Sequence, residues 1–343
     1  MGNNQHKPDA LLPVIDFGNF LVDPTSPGGQ ACAQALREAC HNPGFCYLAN
    51  HGIDARLEQD VIDISHRFFD LPVSDRLAIK NTKSAQFRGY TQLGMEITNN
   101  TQDWRDQIDF GPEKETVNLG PDDPQWLKLH GPNQWPPALP AMQDIISSWL
   151  GCMASLGTSV LSALAVGLGQ EPDYFDYMAG DEPEFLMKVI RYPHVENDQD
   201  SEQGVGLHQD SGLITLILQN EVPGLEVGLG DDIVPVKQIP GTYIMNLGEM
   251  LQMATHGYLR ATKHRVIMPP PGLERISLAY FVNPALEANI VPISLPPDLM
   301  TQAPGGENPN PDDPVFSVYG ANKLKFRVRS HPDVAAIHYS DLV

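Results

Sequence analysis

Beyond residue 184 the chain breaks into short β-like runs, "FLMKVIRYP", "LITLILQ", "GLEVGL", "TYIMNLG", "HRVIMP" and "RISLAYFV", separated by Gly, Pro and Asp turns. Strands this short each bury one face. Six or more of them within about 100 residues point to an antiparallel sandwich or jelly roll, whose inner surface is a natural cavity.

The first half has a different texture. "ACAQALREACHNPGFCYLANHGID" predicts a helix ending near His41, stopped by Asn42-Pro43-Gly44, then a short strand from Phe45 to Ala49. Leu57, Val61, Ile64, Phe68 and Phe69 recur at near-helical spacing up to Pro72, a second helix. Residues 111–140, rich in Pro, Gly and Asp around Trp126 and Trp135, read as a long surface loop. "AMQDIISSWLGCMASLGTSVLSALAVGLG" reads as a long helix whose apolar face is broken only by small residues, which permits close packing. Near the end, "APGGENPNPDDP" is an exposed loop and "SHPDVAAIHYSDLV" a terminal helix. The expected class is a mostly β core with α additions.

Charge narrows the partners. A net charge of −21 repels a phosphate backbone and an anionic membrane surface alike, so no nucleic acid and no membrane are expected. "MGNNQHKPDA" has no apolar signal core, and no apolar stretch approaches the roughly 20 residues that span a bilayer. His6 stands where a myristoylation signal needs Ser or Thr. The expectation is a cytoplasmic protein, a monomer or weak homo-oligomer, acting on a small molecule. Cys32, Cys40, Cys46 and Cys152 form no Cys-x-x-Cys pair and read as reduced thiols rather than a disulfide framework.

The chemistry gathers in "GVGLHQDSGLITLILQN". Along a strand, residues i and i+2 face one way, so His208 and Asp210 present an imidazole and a carboxylate toward one point. His264, heading "HRVIMP" after several strands and turns, is the candidate third arm. Two imidazoles and one carboxylate on one face form the facial triad associated with non-haem Fe(II), with three positions left open. His331-Pro332-Asp333 has the same spacing, but its central Pro breaks a ladder and suits a helix start. On "RISLAYFV", Arg275 and Ser277 share a face and can dock a carboxylate, which a guanidinium grips in a bidentate manner. A solvated strand edge is the alternative for Arg275, and spacing alone does not choose.

"HQDSGLITLILQNEVPGLEV", "IMNLGEMLQMATHGYLRATKHRV" and "RISLAYFVNP", with "LPVIDFGNF", "GFCYLANHGI", "FFDLP" and "RGYTQLGMEI" earlier, together resemble the Fe(II)/2-oxoglutarate-dependent dioxygenases, in particular the isopenicillin N synthase-like branch. The resemblance covers nearly the whole chain. It implies a double-stranded β-helix (jelly roll) with an N-terminal helical region: residues 1–183 a mixed helical region, 184–285 the oxygenase core, and 286–343 a loop and helix packed on it. It implies His208, Asp210 and His264 as iron ligands, Arg275 and Ser277 as carboxylate anchor, and Tyr192 in "VIRYP" as a cosubstrate partner. Arg88, Tyr90, Phe110 and Phe281 correspond to regions that line the substrate pocket in the family, and Asn246 to a position supporting the core near the metal. The implied cofactors are Fe(II), 2-oxoglutarate and O2, and the implied reaction hydroxylates or desaturates a small molecule with release of succinate and CO2.

Ile190 departs from this pattern, since plant-type members often carry Asn two places before the tyrosine. That leaves open an isopenicillin N synthase-like oxidase using O2 without 2-oxoglutarate. Two further alternatives are a hydrolytic zinc enzyme, for which no His-Glu-x-x-His helix is present, and a non-catalytic metal-bound ligand sensor. His256 sits in a Gly-containing turn and reads as solvated. His194, directly after the "RYP" run, reads equally as a cavity-border or a surface residue.

Overall fold

The computed structural model describes residues 12–180, 184–194, 203–305 and 315–342. Among these, the strands are β1 Val14–Asp16, β2 Phe45–Ala49, β3 Gly89–Thr91, β4 Ile97–Thr98, β5 Thr101–Gln102, β6 Asp106–Phe110 and β7 Glu184–Tyr192. Then follow β8 Gln203–His208, β9 Ile214–Gln219, β10 Leu225–Leu229, β11 Asp232–Pro235, β12 Thr242–Leu247, β13 His264–Ile267 and β14 Arg275–Asn283. An 8-stranded sheet runs β1-β2-β12-β9-β14-β7-β6-β3 and faces a 4-stranded sheet β11-β10-β13-β8, while β4 and β5 form a hairpin. Two stacked, mostly antiparallel sheets are the jelly roll that the short strands called for.

Alternation along the strands makes two cores. Ile190 and Tyr192 of β7, Ile217 of β9, Ile244 of β12 and Ala279 of β14 face inward and meet Val205, Val227 and Val266 of the smaller sheet. The residues between them, such as Val189, Leu216, Tyr243 and Leu278, face outward into a larger cluster shared with the helices.

The outer face is covered mainly by the helix Ala141–Gly167, which packs on β14 and on the helices Pro27–His41 and Ala55–Phe69. Its Trp149 Nε1 donates to the phenol oxygen of Tyr243 at 3.1 Å, pinning helix to sheet. Gly157 lets the two approach, since a Cβ there would lie 2.7 Å from Cγ2 of Val282. This helix corrects one expectation: its 27 residues are long and apolar enough to cross a membrane. Gly, Ser and Thr interrupt the apolar run but carry no charge, so its mean hydropathy stays high. In the fold, Met142, Ile146, Trp149, Met153, Val160 and Leu164 are spent on the core beneath the sheet.

Local signals set the helix boundaries. Ser26 Oγ accepts from Gly29 N at 3.0 Å at the start of Pro27–His41, and Asp54 caps Ala55–Phe69 by accepting from Arg56 N at 2.7 Å. Pro332 opens the helix Pro332–His338 at its first turn, as expected for the His331-Pro332-Asp333 decoy. Within residues 111–140 a 3₁₀ turn, Gln125–Leu129, packs Trp126 against the core. The change in texture at residue 184 is not a break in the sheet, because β1, β2, β3 and β6 all join it. Cys32, Cys40 and Cys46 are buried free thiols and Cys152 is half-buried. The residues around Gly2 and His6, and positions 306–314 of the C-terminal loop, lie outside the described residues.

Candidate active site

His208 closes β8 and His264 opens β13, and the two are cross-strand neighbours in the smaller sheet. Their rings lie 4.3 Å apart between centroids. Asp210 sits just past the end of β8 and bridges to Gly248, which turns its carboxylate toward the pair. Oδ1 lies 3.6 Å from Nε2 of His208 and 3.7 Å from Nε2 of His264, and the three ligand atoms fall within 4.8 Å of one another.

Second contacts fix which atoms face inward. Nδ1 of His208 lies 2.8 Å from the Gly206 carbonyl, and Nδ1 of His264 lies 3.1 Å from the Thr262 carbonyl. A carbonyl only accepts, so each Nδ1 carries the proton and each Nε2 lone pair points at the common centre. Asp210 Oδ2 accepts from Thr215 Oγ1 and from Asn246 Nδ2, which leaves Oδ1 for the centre. Asn246, buried on β12, therefore does support the site as the resemblance implies.

The charges agree with a cation site. Burial raises the Asp210 carboxyl, but the neighbouring imidazoles and the Thr215 hydroxyl outweigh it and hold the group well below the usual carboxylate range. Burial, with the His208 imidazole beside it, pushes His264 down to about 4, so it is neutral and ready to donate. For His208, burial pulls downward, while the hydrogen bond and charge of Asp210 prevail and raise it. Two imidazole nitrogens and one carboxylate oxygen suit Fe(II).

A second polar group lies on the inner face of the large sheet. Arg275 on β14 is 1% exposed and pairs in register with Tyr192 of β7. Its guanidinium stands 5.0 Å from the Tyr192 ring centre, and Nη2 donates to Gln219 Oε1 at 2.6 Å. Among the described residues Nε and Nη1 have no hydrogen-bond partner. Burial lowers the Arg275 pKa, and the Tyr192 phenol opposes the shift. Ser277, two residues along, is buried on the same face between Ile190 and Gln219. A buried cation with two unsatisfied N–H groups fits a carboxylate, which supplies two oxygens to one guanidinium edge.

Above the metal cluster opens a cavity of about 760 Å3, with His208 and Asp210 in its wall and Phe281, Leu186, Phe326 and Val205 as its apolar lining. Phe281 thus lines this cavity. Arg88, Tyr90 and Phe110 are not among the lining residues. Tyr90 and Phe110 face the outer side of their strands: the Tyr90 hydroxyl lies between Arg76 and Asp106, and Phe110 stacks on Trp135 at 4.6 Å. Arg88 is buried beside Gly111, its pKa pushed down to about 10 by burial. With a period of two, a one-residue difference in phase exchanges the faces, so the neighbour Asp109 points inward instead and meets Lys188. His256 adopts a left-handed turn conformation with φ 53°, and His194 Nδ1 accepts from Gly272 N, so neither joins the cluster.

Gln219 and Thr215 were not singled out from the sequence. The signal was present in "ITLILQ", where Thr215, Ile217 and Gln219 alternate onto one face with polar residues at both ends.

Residues 12–138 match the family described as "non-haem dioxygenase in morphine synthesis N-terminal", and residues 184–284 match the "2OG-Fe(II) oxygenase superfamily". The chain is 33% identical to homoarginine-6-hydroxylase 2-ODD-C23.2 of Arabidopsis thaliana, over 83% of this chain and 81% of that protein. It belongs to the 2OG-Fe(II) oxygenase superfamily. A second relative, 2-oxoglutarate-dependent dioxygenase frbJ of Dothideomycetidae sp., is 30% identical over 94% of this chain and 90% of its own. Among solved structures, a full-length Neurospora crassa protein crystallised in complex with α-ketoglutarate superposes with a TM-score of 0.74 at 25% identity, covering 93% of this chain and 98% of that one. The oxygenase is thus a 2-oxoglutarate-dependent enzyme of jelly-roll fold, with Fe(II), 2-oxoglutarate and O2 as its cofactors.

Proposed function

We propose that this oxygenase binds one Fe(II) through His208, Asp210 and His264, anchors 2-oxoglutarate on Arg275 with Ser277 and Tyr192, and oxidises a small molecule in the cavity above. The observation that carries the reading is Arg275, a buried guanidinium with two unpartnered N–H groups on the inner face that also leads to the metal cluster. Fe(II) and 2-oxoglutarate, when bound together, activate dioxygen for oxidation of an unactivated C–H bond with release of succinate and CO2.

The residues divide the rest of the work. The carbonyls of Gly206 and Thr262 hold the two imidazoles in the tautomer that ligates, and Thr215 with Asn246 keeps Asp210 from rotating. The Arg275 guanidinium fixes the far carboxylate of the keto acid, and Gln219 holds that guanidinium in place. Ile190, Ile217 and Val266 exclude water around it, which strengthens the pairing. Leu186, Phe281 and Phe326 offer an apolar wall to the substrate body.

The test is anaerobic addition of Fe(II) and then 2-oxoglutarate, followed by admission of air. A weak visible charge-transfer band on adding the keto acid, then succinate production, is expected. Dioxygen uptake that ignores 2-oxoglutarate would instead support the oxidase reading. Thermal stabilisation by ligand without any turnover would support a sensor.

A further inference from the structure

We propose that the substrate of this oxygenase carries a carboxylate, and that Arg105 is the residue that receives it. The inference rests on the cavity above the metal cluster being the substrate site. In a chain of net charge −21, its wall carries Arg105, Lys188, Lys323, Arg327 and Arg329 against Glu96 and Asp210. Asp210 belongs to the metal cluster. Most other acids near the wall are already shared: Asp109 serves Lys188 and Arg327, and Glu184 serves Lys323.

Arg105 is the cation with one donor, Nε, to spare among the described residues. It is 6% exposed, and its two acids meet the same nitrogen: Nη2 lies 3.1 Å from Glu96 Oε2 and 3.1 Å from Asp103 Oδ2. Nε is buried, without a hydrogen-bond partner among the described residues. Neither acid can turn to serve it. Both oxygens of Glu96 also accept from Lys188 Nζ, and Asp103 accepts from Thr98 Oγ1, Gln203 Nε2 and Gly206 N. Those last two bonds lash the segment to β8, the strand that ends at His208, so the guanidinium is held beside the metal cluster rather than free to swing. A guanidinium with an unpartnered N–H, fixed in a low-dielectric wall, is matched by a carboxylate oxygen. Leu186, Phe281 and Phe326 then take an apolar body.

The protein is loaded anaerobically with Fe(II) and saturating 2-oxoglutarate, which fills the Arg275 anchor. Three acid and amide pairs of increasing length are then titrated by calorimetry: benzoate and benzamide, phenylacetate and phenylacetamide, 4-phenylbutyrate and 4-phenylbutyramide. In at least one pair the acid is expected to bind about tenfold tighter or better, as a charge-assisted pair requires. Arg105→Gln should bring that ratio to about one, while Arg105→Lys, which keeps the charge, should retain part of it. The proposal is overturned if no acid outbinds its amide in the wild-type protein, or if the preference survives in Arg105→Gln. A missing charge-transfer band on 2-oxoglutarate addition would count against the cofactor assignment instead, and the acid-to-amide ratio can still be measured without it.

Discussion

Arg275→Met separates stability from cofactor binding, because the two respond with opposite sign. Among the described residues the guanidinium has one geometric hydrogen bond, to Gln219 Oε1, and two buried nitrogens without one. A buried donor lacking a partner costs about 1–3 kcal/mol, and methionine keeps the length of the stem while removing both. The substitution creates one new orphan, the Gln219 carbonyl oxygen. The balance favours the variant by one unsatisfied group, about 1–3 kcal/mol, so in the absence of 2-oxoglutarate it should melt later by about 2 °C per kcal/mol. Binding moves the other way. Loss of a charge-assisted pair worth about 1.5–3 kcal/mol weakens 2-oxoglutarate by roughly 10- to 150-fold. At a hundredfold excess over Kd the wild-type protein gains about 2.7 kcal/mol from the ligand, and the variant gains far less at the same concentration. Thermal denaturation across a 2-oxoglutarate titration, with Mn(II) in place of Fe(II) to prevent turnover, should therefore show the two curves crossing. Earlier melting of Arg275→Met without ligand, or an unchanged Kd, refutes the reasoning. Adding Gln219→Leu should restore the packing and raise the melting temperature again.

Three further outcomes follow from neighbouring groups. Asn246→Leu frees one side of Asp210 Oδ2, and the metal retained per chain against a chelator should correspond to an affinity roughly 10- to 100-fold lower; undiminished retention would show that Thr215 alone positions the carboxylate. His331 is buried and held neutral, its pKa pushed down to about 3 chiefly by burial. Between its ordinary value near 6.5 and about 3, the unfolded chain binds a proton that the folded chain does not, so its contribution is complete above 6.5 and is lost as pH falls, by about 1.4 kcal/mol per pH unit. His331→Gln should flatten the acid limb of a stability-versus-pH curve by that slope, and an unaltered slope would mean that the native imidazole is already charged. Lys188→Met leaves Glu96 and Asp109 buried without their shared cation, and denaturant unfolding should register a loss of about 3–5 kcal/mol; a neutral result would show the acids to be neutralised by Arg105 and Arg327 alone.

Secondary-structure elements and the types of chemistry were legible in the chain alone. Turn residues mark the ends of the β-like runs, and Asn42-Pro43-Gly44 and Pro72 mark where two helices stop, because these signals act within a few residues of chain. His208, Asp210, His264, Arg275 and Ser277 were legible as residue types at telling spacings. Tertiary structure decided what local spacing does not encode. Pairing β13 with β8 brings His264 against His208, and pairing β14 with β7 sets Arg275 over Tyr192. Strand phase decided the faces, turning Tyr90 and Phe110 outward while Phe281 reaches the cavity. The ion network of Glu96, Asp103, Arg105 and Lys188 lay beyond the sequence for the same reason. Glu96, Asp103 and Arg105 flank one hairpin and are close in the chain, but Lys188 lies on β7 and reaches Glu96 only through the fold.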